Sequence, residues 1–182
     1  MTQVLAHITA DITPTSANLA FFVLRVTIGV MMFTHGYQKI FLGGRIDGTA
    51  GWFTSMGMTG NGRAHAWMAA LTESGTGVLM VLGLLTPFAA AGITGIMFVA
   101  FWTHRTKWFV FKEGVEYNVV VAVVVAVIAT FGGGEWSIDH AFGWMEGFSG
   151  WTGMLISVLV GIGVAALQLA VFYRPGRVAA AH

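Results

Sequence analysis

The chain has 182 residues, of which 56% are apolar and only 9% charged, against roughly 25% charged in soluble domains. With 9 Lys+Arg, 8 Asp+Glu and no cysteine, it has too little charge for a disordered segment or a nucleic-acid-binding surface. It also has no means of making disulfides, thiolate metal sites, iron–sulfur centres or a CxxC redox relay. A mean hydropathy of +0.76 describes an integral membrane protein.

Residues 1–16 contain neither Lys nor Arg, so they lack the basic flank of a cleavable signal and are expected to remain as an extracytoplasmic N-terminal segment. Five stretches then reach the roughly 17–25 residues that a spanning helix needs: 17–42, 64–85, 87–103, 116–132 and 154–173. The fourth is dominated by Val and Ile over 119–129, a composition that favours strand in water. Lipid leaves the backbone only two ways to satisfy itself, helix or closed barrel. A barrel needs many short segments of alternating polarity, whereas these are few, long and continuous. The expected fold is therefore an all-α integral membrane bundle of five transmembrane helices.

Charge sets the topology. Five spans put Lys39, Arg45, Arg63, Arg105, Lys107, Lys112, Arg174 and Arg177 on one side. The other side has no Lys or Arg and carries Glu135, Asp139 and Glu146. Basic residues stay cytoplasmic, so the expectation is a multi-pass plasma-membrane protein with its N-terminus outside and its C-terminus in the cytoplasm. Trp52, Trp67, Trp102 and Trp108 fall near the inner boundary, and Trp136, Trp144 and Trp151 near the outer one, as interfacial tryptophans do. Ala91/Gly95 and Ser157/Gly161/Ala165 have the four-residue spacing of tight helix contacts. They are expected to pack within the bundle, with a homodimer seam as the alternative.

Two polar groups lie deep in the spans. An ionised side chain there costs about 2.5–3.5 kcal/mol on insertion scales. Counting from the span ends puts Arg25 about 12 Å and Glu73 about 16 Å below the outer boundary. The matching depths predict an Arg25–Glu73 ion pair, either a register-fixing structural pair or part of a functional site. A second set gathers near the inner ends: His35 and Lys39 on one face of the first span, His104 closing the third, and Glu116, Tyr117 and Asn118 opening the fourth. Such a set can hydrogen-bond a quinone carbonyl and pass it a proton. The competing reading has Lys39 and Glu116 snorkelling to the interface and the histidines capping helix ends. Gly57, Gly60 and Gly62 read as a turn, since no strand precedes them and no Lys-Ser/Thr follows. The six histidines (7, 35, 65, 104, 140, 182) form no metal-binding HxxxH or HExxH pair. His35 and His104 are the one pair suited to bis-histidine haem, which is disfavoured.

The order Arg25…Gly29…His35-Gly36-Tyr37-Gln38-Lys39 resembles the RxxxG…HGxxK pattern of the DoxX family of membrane proteins. Trp52-Phe53…Gly57, Glu73-Ser74-Gly75-Thr76-Gly77, Leu82-Gly83-Leu84-Leu85-Thr86 and the glycine-rich run Gly132–Asp139 are similar to its later motifs. The resemblance implies a four-helix membrane core over 17–140 and a link to respiratory redox chemistry. It implies kinship with the family's small subunits associated with quinol oxidase and thiosulfate:quinone oxidoreductase activity. It also implies that Arg25, Lys39, Glu73 and Glu116 form the polar core. The departure is an outer loop and fifth helix at 141–173, followed by a short basic tail at 174–182.

The leading expectation is an accessory subunit of a quinone-linked oxidoreductase, binding quinone or quinol between the first, second and fourth spans. In it, Glu73 and Glu116 are the catalytic proton carriers, while Arg25, His35, Lys39, His104, Tyr117 and Asn118 bind the ligand. Electrons would come from protein partners in a redox complex. The alternative is a non-catalytic scaffold anchoring soluble redox or stress-response proteins through its cytoplasmic loops. A transporter is disfavoured, because no internal repeat or interrupted helix pair is visible.

Overall fold

A computed structural model describes residues 14–109 and 114–175. Lys112, Arg177, most of the N-terminal segment and most of the basic tail lie outside the described residues. The long helices are α1 (Pro14–Phe41), α3 (Gly62–Leu82), α4 (Thr86–His104), α5 (Glu116–Phe131) and α8 (Gly150–Phe172). Their ends fall within four residues of the expected spans. Between α1 and α3, where a loop was expected, residues Arg45–Ser55 form an eleven-residue helix, α2. The other region expected as loop holds two short turns, α6 (Ile138–Ala141) and α7 (Met145–Phe148).

The ends of these helices follow local chemistry. Asn61 caps α3, its side-chain oxygen accepting from the backbone N–H of Arg63 and Ala64, two of the donors a helix start leaves unpaired. Gly83, in the left-handed region at φ 62°, ends α3. Pro87 sits at the start of α4, where its missing N–H costs nothing.

Helix α1 packs antiparallel along α3 through glycine. A Cβ at Gly29 would stand 2.7 Å from the Gly77 carbonyl, and one at Gly77 would stand 2.5 Å from the Phe33 nitrogen. Only bare backbone fits on this seam. Helix α4 is the central element, packed against α3, α5 and α8, and Ala89, Ala90 and Ile93 are fully buried. Gly161 of α8 lies on the Ala91 carbonyl and beside Gly95 of α4, so the small-residue stripes pack within the bundle. Nearby, α8 loosens into a π-turn at Ile156–Val160, where Ser157 and Thr94 hydroxyls meet at 3.3 Å.

Apolar side chains are buried in two clusters. One joins Ile28 and Met32 of α1 with Met80, Ile93, Val125 and Ile128. The other packs Ile46, Ala50 and Phe53 of α2 on Ala66 and Ala70 of α3. Outward-facing residues are equally apolar: Leu71, Val120, Val123, Leu159, Val164 and Leu167 are all exposed. Such a surface is stable only against hydrocarbon. Helices α1, α4 and α8 are long and apolar enough to cross a membrane by themselves. All seven tryptophans are exposed, grouped toward the two ends of the bundle. The molecule is an all-α multi-pass membrane bundle.

Candidate functional site

At the end of the bundle away from most of its cations, Arg25 is 1% exposed. Its Nη1 donates to the carbonyls of Met80 (2.8 Å) and Val81 (2.6 Å), and its Nη2 to that of Trp136 (2.6 Å). The last turn of a helix leaves its carbonyls unpaired and partially negative, so a guanidinium there satisfies both deficits. Gly83 makes room: a Cβ at that position would stand 2.5 Å from Arg25 Nη1. The nearby charge acting on Arg25 is that of Asp139, whose two carboxylate oxygens accept from the backbone N–H of Leu85 (2.7 Å) and Thr86 (2.8 Å). These hold Leu85 at φ 50°, a left-handed conformation rare outside glycine. Arg25 and Asp139 thus tie α1, the end of α3, the start of α4 and the 132–139 loop together.

This arrangement corrects the Arg25–Glu73 pair. The Gly29–Gly77 seam sets α1 against α3 so that Gly36, not Arg25, lies beside the Ala70–Ser74 turn. Arg25 is eleven residues from that level, about 16 Å along the helix. Depths counted from span ends had taken no account of how the two helices slide past one another.

The partner of Glu73 is Lys39. Its ammonium donates to both carboxylate oxygens, at 2.8 and 2.6 Å. The Glu73 side chain is 7% exposed and that of Lys39 22%. Unlike Arg25, this pair borders open space, a cavity of about 920 Å³ between α1, α2, α3, α4 and α8. His35 and Gln38 join it from α1, Trp52 and Phe53 from α2, and Tyr117 and Asn118 from the first turn of α5. The Tyr117 hydroxyl donates to Met31 Sδ at 3.0 Å and lies within reach of the Glu73 charge. One cavity therefore offers an ammonium, a carboxylate, an imidazole, a phenol and amides.

Of the residues expected at the site, His35, Lys39, Glu73, Tyr117 and Asn118 line this cavity, while Arg25, His104 and Glu116 do not. The His104 Nδ1 lies 3.1 Å from the Ala100 carbonyl, and its ring stacks on Trp52 at 6.1 Å, which closes its helix. Glu116 is half-buried one residue before Tyr117. The sequence reading passed over His65, which is 4% exposed and also lines the cavity. Its Nε2 lies 2.9 Å from the Thr59 carbonyl. A carbonyl only accepts, so Nε2 carries the hydrogen, and Nδ1 is buried without a partner. One sequence signal was available: His65 follows the Asn61 cap by a single turn and is the one histidine of a span that also carries Glu73.

The family model described as DoxX matches residues 20–106, from α1 to just past α4, a little under half of the chain. The likeness read from the motifs of α1, α3 and the α3–α4 turn therefore holds. No curated protein and no solved structure matches the chain.

Proposed function

We propose, from the premise that this chain is a DoxX-family membrane protein, that it binds a quinone or quinol in the cavity beside Lys39 and Glu73 and serves an electron-transfer complex. The observation that carries the reading is a charged pair bordering a membrane-embedded cavity. Intramembrane ion pairs are expensive to bury and tend to mark ligand or proton sites. Lys39 has donor capacity beyond its two bonds to Glu73, and an ammonium of this kind orients a ring carbonyl. The carboxylate of Glu73, with Tyr117 nearby, offers a place to hold and release a proton. Reduction of a quinone to the quinol takes two electrons and two protons. The protons pass through these groups and the electrons come from a redox protein partner. Glu116, outside the cavity lining, relays protons at most from the end of α5.

The orientation belongs to the same reading. Lys39, Arg45, Arg63, Arg105, Lys107 and Arg174 gather at one end of the bundle, where Trp52 meets His104 and the Arg174 nitrogen donates to the Gly57 carbonyl. By the positive-inside rule this end is cytoplasmic, with the N-terminus outside and the protein in the plasma membrane. The core over 17–140 supplies most of the charged cavity, and 141–173 adds α8.

The test is retention of a benzoquinone by purified protein, compared with Lys39→Met and Glu73→Gln. The expected result is about tenfold weaker retention in each, the worth of one charge-assisted hydrogen bond. Equal retention in all three proteins refutes the site. No retention by the parent protein, together with co-purification of soluble redox proteins, favours the scaffold reading.

A further inference from the structure

From Val158 to Phe172 every residue of α8 is apolar or glycine except Gln168. Gln168 is half-buried and lines the same cavity as Lys39 and Glu73. Its amide has no hydrogen-bond partner among the described residues. An amide on a spanning helix finds a partner or stays unpaired in hydrocarbon, and the space beside this one is the cavity. Two other polar groups toward this end are already engaged. His65 Nε2 lies 2.9 Å from the Thr59 carbonyl, with Nδ1 buried, and Thr103 Oγ1 donates to the Val99 carbonyl at 3.0 Å.

Contacts along the bundle set the levels. Gly92 of α4 lies against the Thr72 and Thr76 side chains of α3, and Gly161 of α8 lies against Ala91 and Gly95 of α4. Glu73 therefore stands at about the height of Gly161. Gln168 is seven residues further along α8, about 10 Å, toward the end where the Thr59 nitrogen donates to the Phe172 carbonyl at 2.8 Å. Helices α3 and α8 run in opposite directions, and helical side chains lean toward the N-terminus of their own helix. Glu73 leans toward Ala69 and Gln168 toward Val164, which narrows the gap. Ala69 and Ala165, both in the lining, are small enough to leave room for a flat ring between them.

We infer that Gln168 is the second polar contact of the ligand: one ring oxygen lies at Lys39–Glu73, and the oxygen across the ring lies on the Gln168 amide. This rests on the quinone reading above for the ring itself, and adds what holds its far oxygen. A six-membered ring with an oxygen at each end, and a hydrogen bond of about 2.8 Å at each oxygen, suits a gap of this order. An amide both donates and accepts, so Gln168 serves the carbonyl of the oxidised ring and the hydroxyl of the reduced one. Lys39 only donates and the Glu73 carboxylate only accepts. Because Gln168 lies beyond residues 20–106, α8 supplies a contact that the family-matched part of the chain lacks.

The test uses full-length protein in mild detergent and two probes, a benzoquinol and the matching phenol with a single hydroxyl. The variants are Gln168→Met, which keeps the length of the side chain and removes the amide, and Lys39→Met. Gln168→Met makes α8 uniformly apolar here, so thermal unfolding should not fall, and this checks that the variant is folded. Gln168→Met should weaken benzoquinol binding about fivefold, the worth of one neutral hydrogen bond. Phenol binding should change less than about twofold, since its one hydroxyl stays on the charged pair, the stronger site. Lys39→Met should weaken both probes. Benzoquinol binding that falls in Lys39→Met but not in Gln168→Met overturns this inference and leaves the quinone site standing. Equal weakening of both probes by Gln168→Met also overturns it, because the amide then does not hold a second oxygen. If the parent binds no benzoquinol, or neither variant weakens it, the quinone reading and this inference fall together.

Discussion

Helix α1 carries two cations, Arg25 fully buried near its middle and Lys39 part-buried near its C-terminal end, and the two meet different fates. Arg25 spends both terminal nitrogens on three backbone carbonyls and sits beside a carboxylate that is itself bonded to two backbone N–H groups. Lys39 meets one carboxylate at the edge of a large cavity. The first arrangement turns both terminal nitrogens on the fold and leaves only the buried Nε without a partner. The second keeps room and donors for something else. Burial cost alone does not separate structural from functional charges in a membrane; what the side chain faces does.

The sharpest way to break this contrast is Arg25→Leu. It strands the Met80, Val81 and Trp136 carbonyls together, and the expected loss is about 3 kcal/mol of stability, read by thermal or denaturant unfolding in detergent. Ligand retention per folded molecule should not change; a selective loss of binding would move Arg25 back to the site. Next comes Asp139→Asn, which keeps one acceptor for the Leu85 and Thr86 nitrogens and removes the negative charge at the start of α4. A cost of about 2 kcal/mol is expected, again without a binding effect.

At the other end, Lys39→Met should cost only about 1 kcal/mol, because the pair borders open space rather than packed core. Its larger effect is on ligand retention. The double variant Lys39→Met/Glu73→Leu should recover stability while binding stays lost; a pair that mattered only for packing would recover nothing beyond stability because it had nothing else to lose. The smallest effect belongs to Asp47→Asn, which removes the 2.7 Å contact to Arg63 between two largely exposed side chains. Less than about 0.5 kcal/mol is expected, and a larger change would mean that the α2–α3 contact is more deeply coupled than its exposure indicates.

The fold was largely legible in the sequence, and the site only in part. Span lengths, the absence of cations from one side and the motifs around Arg25, Lys39 and Glu73 led to the bundle, to its DoxX likeness and to five of the residues that line the cavity. Helix α2 escaped because only Ile46, Ala50 and Phe53 of its eleven residues are buried, too short an apolar stripe to stand out from a loop. His65 escaped because its environment comes from three separate places: the Thr59 carbonyl, Phe53 of α2 and Phe172 of α8. The pairing of the charges went wrong for a related reason. Depth in a span says how far a residue lies from water, and says nothing of which residue on the next helix stands opposite.

Composition and charge order by themselves determined that this chain is an all-α membrane bundle and roughly where its long helices lie. These are sums over local stretches, and hydrocarbon rewards them without reference to the rest of the molecule. Only the tertiary structure decided that Lys39, not Arg25, meets Glu73, and that α8 completes the wall of a cavity. Both follow from close contacts between distant glycines and backbone atoms, Gly29 on Gly77 and Gly161 on Ala91, where a single missing side chain sets how one helix slides along another.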